Sequence, residues 1–167
     1  MVEQQEASSE DAVMTRIGQA VMLLHGGDRE EARNRFGLLW SELGADGDGL
    51  HRCTLAHYMA DTQDDPGDEL AWDLRALTAA EGLSGDRPAE HRDSSAVQAL
   101  YPSLHLNLAA DYLKLQRPDA ARIHLRQARD AADALEGGGS GAPGPYSGYD
   151  GGVRAAIERL EERMRGM

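Results

Sequence analysis

The chain has 167 residues, and its 17 basic against 29 acidic side chains leave a net charge of −12 at pH 7. That field repels phosphate backbones and anionic lipid surfaces, which argues against nucleic acid and membrane partners. Hydrophobic residues at 41% are enough for a core, aromatics at 5% favour helices over strands, and the lone Cys53 excludes an internal disulfide or a multi-cysteine metal site.

The opening "MVEQQEASSED" carries no apolar core of a signal peptide, and residues 1–9 read as a disordered N-terminus. No apolar run approaches the ~20 residues of a membrane span, so the chain reads as a cytoplasmic single domain. Val13, Met14, Ile17, Val21 and Leu24 fall at helical spacing, which predicts a first helix from Glu10 to His25, capped by Ser8 or Ser9 and stopped by Gly26–Gly27. Asp28 and Glu31 stand at capping-box spacing and open a second helix, whose buried stripe is Ala32, Phe36, Leu39 and Leu43.

After the turn "GADGDG" a third helix runs from Leu50 to Thr62 with Leu50, Cys53, Ala56, Met59 and Ala60 inward. Asp65 as cap and Pro66 in the first helical position start a fourth, which is expected to bury Leu70, Ala71, Leu74 and Leu77. Residues 83–93 are turn-rich. A fifth helix follows from Ser94 or Ser95 to Leu115, with a kink or break expected at Pro102. The sixth starts at Pro118 or Asp119 and presents Ala121, Leu125, Ala128, Ala132 and Leu135 on one face. Residues 136–152 have Gly/Pro-rich linker composition. A last helix over 153–166, capped by Asp150, carries Val153, Ile157, Leu160 and Met164 on one stripe.

These helices pair into three hairpins over residues 10–135, and two of the hairpins share a pattern. The third reads Leu108–Ala109, Tyr112, Gln116–Arg117, Ala121, Leu125, Ala128. The first reads Ala20, Leu23, Gly27–Asp28, Ala32, Phe36, Leu39, at the same intervals. In the second, Ala56 and Met59 fit but Ala71 comes about three residues late, as if "QDDP" were inserted. The pattern resembles the tetratricopeptide repeat, a family of helix-turn-helix units of about 34 residues.

The resemblance implies an all-α fold: a right-handed superhelix of three hairpins closed by a C-terminal capping helix. It also implies a concave groove that binds a peptide or helix of a partner protein. By register the groove is lined by Met14, Ile17, Val21 and His25 of the first hairpin, by Cys53, His57 and Asp61 of the second, and by Leu106, Asn107, Ala110 and Lys114 of the third. Asn107 matches a groove asparagine that bonds ligand backbone in peptide-binding members. Lys114 alone cannot form the cationic clamp some members use for a C-terminal carboxylate.

His57 and Asp61, one turn apart, can chelate a metal, but two ligands are too few and a bond between them is the plainer reading. His105 joins them only if hairpins stack closely, and His25, His51, His91 and His124 read as surface or capping residues. Cys53 lies on an apolar stripe and reads as a buried, inert thiol. Arg122, Arg126 and Arg129 form a basic stripe expected to pair with Glu158, Glu161 or Glu162. No acid–base–nucleophile set and no cofactor motif is visible, so the expectation is a non-enzymatic interaction module without a cofactor. A metal- or small-ligand-responsive regulator and a structural homodimer or larger assembly subunit are the alternatives.

Overall fold

The computed structural model describes residues 2–85, 91–137 and 147–167, and among them the chain is all helical. The helices are α1 (Val2–His25), α2 (Arg29–Leu43), α3 (Gly49–Asp61), α4 (Pro66–Gly85), α5 (His91–Lys114), α6 (Pro118–Gly137) and α7 (Ser147–Arg165). The chain divides into two compact units, Met1–Ala79 and Ala80–Met167. None of the described helices is long and apolar enough to cross a membrane.

Several boundaries differ from the sequence pattern. The first helix already begins at Val2, ahead of the expected Ser8 or Ser9 cap and of the stretch expected to be disordered. The last begins at Ser147, so Asp150 sits inside it rather than capping it. Most of the linker expected over 136–152, and the middle of the loop expected over 83–93, fall outside the described residues. Helix α5 starts at His91 and passes through Pro102 as one element, where a kink or break was expected. The proline ring is buried, and its missing N–H costs the hydrogen bond that the Gln98 carbonyl would otherwise receive.

In the first unit, Ile17 and Ala20 of α1 meet Ala32, Phe36 and Leu39 of α2 and Leu55 and Met59 of α3 in one core. Alanine recurs where helices cross because only a small side chain lets the axes approach; Ala20 and Ala32 are both 0% exposed. Helix α2 is capped by Asp28, whose carboxylate accepts from Glu31 N at 3.3 Å, and α3 by Asp48, which accepts from His51 N at 3.0 Å. Asp65 accepts from Asp68 N at 3.0 Å and sets Pro66 at the first position of α4, as the sequence predicts. On α4 the buried residues are Asp73, Ala76, Leu77 and Ala80; Leu70 and Ala71 are half-buried and Leu74 is exposed, so the inward face is rotated from the expected one.

Arginines close the end of α3. Arg33 donates from Nε and Nη2 to the Thr62 carbonyl at 3.0 and 2.5 Å. Arg29 donates to the carbonyls of Asp61 and Gln63 and to the Asp64 carboxylate. Guanidiniums are thus supplied to carbonyls that a helix end leaves without partners.

In the second unit, Ala109 of α5, Ala121, Leu125 and Ala128 of α6, and Ile157, Leu160 and Met164 of α7 form one core. The stripe of α7 covers the α5–α6 hairpin, as a terminal helix must if its apolar side is to leave water. Arg154 reaches Asp133 and Glu136 of α6, each at 3.0 Å.

The turns of the first and third hairpins have the same hydrogen bonds. Asp28 N donates to Leu23 O at 2.9 Å and Gly27 N to Leu24 O at 3.2 Å. Arg117 N donates to Tyr112 O at 2.8 Å and Gln116 N to Leu113 O at 3.1 Å. Both are Schellman motifs, which need a left-handed residue at the turn. Gly27 takes it at φ 96°, whereas Gln116 takes it at φ 59° and bears the strain of a side chain there.

Candidate functional site

The α5–α6 hairpin brings together a row of four rings. Tyr101, His105 and Tyr112 stand at helical intervals along α5, and His124 of α6 enters between the last two. Tyr101 lies near-parallel to His105 with centroids 6.1 Å apart, and Tyr112 near-parallel to His124 at 5.4 Å. His105 and His124 meet through their Nδ1 atoms at 3.1 Å, with centroids 5.4 Å apart and planes 22° from each other. The centroid separation equals the Nδ1···Nδ1 distance plus the two ring radii, so the imidazoles face end on. One nitrogen donates and the other accepts, which requires at least the accepting ring to be neutral.

Burial first, and charge repulsion from the facing His124 second, together lower the His105 pKa to about 4; burial lowers His124 as well. At neutral pH the pair is two uncharged imidazoles, each half-exposed, with chemistry limited to sharing one hydrogen or offering lone pairs to an electrophile or metal. Two features of the packing set this contact. Ala109, Ala121 and Ala128, each 0% exposed, bring the helix axes close, and the turn at Gln116 fixes the register in which position 105 faces position 124.

The sequence pattern puts His124 at the surface or in a cap and lets His105 join the second hairpin only if hairpins stack closely; instead they pair with each other inside the third.

The residues expected to line a groove are distributed differently among core and surface. Met14 is 41% exposed, and His25 is exposed at the end of α1. Ile17 is 2% exposed and belongs to the first core, because α1 turns that position toward α2 and α3; it lines no surface. Val21 is half-buried against the same core. On α3, Cys53 is 1% exposed and burial pushes its thiol up to about 12, which makes it unreactive. His57 packs edge-on against Tyr58 at 5.3 Å; burial lowers its pKa while the Asp61 charge opposes that. The Asp61 side chain is exposed. On α5, Leu106, Asn107 and Ala110 are half-buried and Lys114 is exposed.

His51, expected as a surface or capping residue, is buried at 7% exposure in the first turn of α3. Of the basic stripe on α6, Arg129 pairs with Glu161 as expected. Arg122 pairs instead with Asp119 of its own helix at 3.2 Å.

The first unit carries an open depression between α1 and α2, lined by Gln19, Met22, Leu23, Gly26, Asp28 and Arg35. Met22 is 75% exposed at its rim. A second group of rings lies elsewhere on this unit: Trp40 and Trp72 meet edge to face at 5.2 Å, with Arg52 over the first and Arg75 over the second. No family model, curated protein or solved structure matches the chain.

Proposed function

We infer that this chain is a non-catalytic protein-interaction module, built of tetratricopeptide-like hairpins, that holds a basic peptide or helix of a partner protein. The observation that carries the reading is the row Met14, Gly18, Met22 on α1. Its methionines are 41% and 75% exposed, and a Cβ added at Gly18 would meet only open space. Exposed methionines are costly in water and adapt to many apolar surfaces, a pairing that suits a docking face. The adjoining depression continues that face and ends on Asp28 and Arg35. A net charge of −12 draws a basic partner and repels an acidic one. Close-packed alanine crossings keep the face preformed, so it receives its partner without large rearrangement.

The test compares partners captured by the wild type, by Met14→Glu/Met22→Glu, and by Ile123→Glu, a change at an exposed apolar residue of α6. The reading expects a partner held by the wild type and the Ile123 variant, released by the double variant and weakened by salt. Capture unaffected by the double variant overturns it. A homodimer that the double variant dissolves favours the assembly-subunit reading instead.

A further inference from the structure

We propose that His105 and His124 form a binding site for a divalent late transition-metal ion, of the kind Cu²⁺, Ni²⁺ or Zn²⁺, held through both Nδ1 atoms with water in the remaining positions. The two donors lie 3.1 Å apart; at imidazole–metal bonds of about 2.0–2.1 Å this closes an angle of roughly 95–100° at the ion, between square-planar and tetrahedral values. The donors come from two helices whose separation is fixed by fully buried alanines, so their spacing exists before the ion arrives. Both rings are half-exposed, which leaves the ion a path from solvent.

The metal-free pair meets end on, as a hydrogen bond requires. Binding swings each ring off that line at an almost constant nitrogen separation. Side-chain rotation supplies the swing more cheaply than parting α5 from α6, which would open the core around Ala109 and Ala121. Near-parallel Tyr101 and Tyr112 bound the swing on either side.

The proton balance is simple. One Nδ1 carries the shared hydrogen, and that hydrogen must leave Nδ1 for both lone pairs to bind. It relocates to Nε2 of the same ring through solvent, so both imidazoles remain neutral and no net proton is released. Depressed pKa values on both rings remove the competition that protons would otherwise offer near neutrality. No third His, Cys, Asp or Glu joins the two imidazoles among the described residues, so open positions remain for water or an incoming ligand.

The experiment titrates the full chain with Cu²⁺ and Zn²⁺ by calorimetry and follows bound Cu²⁺ by electron paramagnetic resonance. The proposal expects one ion per chain, coupling to two equatorial nitrogens, and at least a tenfold loss of affinity in His105→Gln and in His124→Gln. His25→Gln is expected to bind as the wild type does. Should the site variants unfold, Zn²⁺ titration of the wild type by NMR reads the same contact, with the ring signals of 105 and 124 shifting together. Binding unchanged in folded His105→Gln and His124→Gln overturns the proposal. So does a wild-type Zn²⁺ titration in which those two rings do not move.

Discussion

Arg129 grips Glu161 with two parallel hydrogen bonds, Nε to Oε1 at 2.7 Å and Nη2 to Oε2 at 2.6 Å, and so ties α6 to α7. The pairing raises the guanidinium's pKa and lowers that of the Glu161 carboxyl. It lies beside an apolar seam of Ile157, Leu160 and Met164, which are 1%, 6% and 6% exposed. At ~1.5–3 kcal/mol per large side chain unburied, deleting residues 150–167 is expected to cost several kcal/mol and to promote association. Arg129→Ala is expected to cost far less, since the pair is partly solvated. Denaturant midpoints and sedimentation of both variants check this; an unchanged midpoint in the truncated chain would show that α7 covers nothing.

Ala121 is 0% exposed at the α5–α6 crossing, whereas Ala134 is exposed on the same helix. Ala121→Leu is expected to overpack the crossing and cost ~1–3 kcal/mol, and Ala134→Leu to be nearly neutral. Equal shifts of the two midpoints would contradict the register described.

The His105–His124 contact predicts a pH dependence with a definite sign. Both imidazoles have folded pKa values below the ordinary 6.5, His105 at about 4, so the unfolded chain takes up protons that the folded pair refuses. The contribution is complete above the unfolded value and is lost as pH falls from there toward the folded value. Stability is expected to drop between pH 7 and pH 5 in the wild type and to drop less in His105→Asn/His124→Asn. Melts at the two pH values decide the matter, and parallel losses in both proteins would sink the prediction.

Arg33 holds the Thr62 carbonyl from a part-buried position, while Arg35 on the same helix meets only Glu31, one turn back on the surface. Arg33→Ala is expected to cost ~1.5–3 kcal/mol, as for a charged hydrogen bond lost at a part-buried site. Arg35→Ala should cost below ~1 kcal/mol. Chemical denaturation of the two variants side by side measures the difference.

Much of the helical arrangement is legible from single positions. Ala20 and Ala109, then Ala32 and Ala121, occupy matching places in two hairpins, and all four are 0% exposed. Their visibility comes from burial, which imposes a helical period on residue size. The inward face of α4 is hidden from the pattern because burying Asp73 while exposing Leu74 breaks that link between apolarity and burial. The imidazole pair left no such mark. It depends on two residues far apart in the chain, and the matching places of the first hairpin hold Arg16 and Arg35. Those turn away to Glu42 and Glu31, so comparing the two hairpins offers no hint of a contact there. Ile17 was assigned to a groove by family register, yet α1 packs against both α2 and α3 and needs it inside.

The guanidiniums of Arg29 and Arg33 carry one more consequence. They stand where a helix commonly finishes itself with a local turn, but they belong to α2, about thirty residues earlier in the chain. The Met59 and Ala60 carbonyls are closed locally by Thr62 and Gln63, but those of Asp61, Thr62 and Gln63 are held by a neighbour rather than by their own segment. An array whose repeats each complete their own ends can fray one hairpin at a time. Here the turn that follows α3 loses its arginine partners once α2 has left, and α2 loses a partner when α3 melts. The first unit is accordingly expected to exchange its amide hydrogens in α2 and α3 together, as one cooperative block, and to tolerate cutting between them poorly.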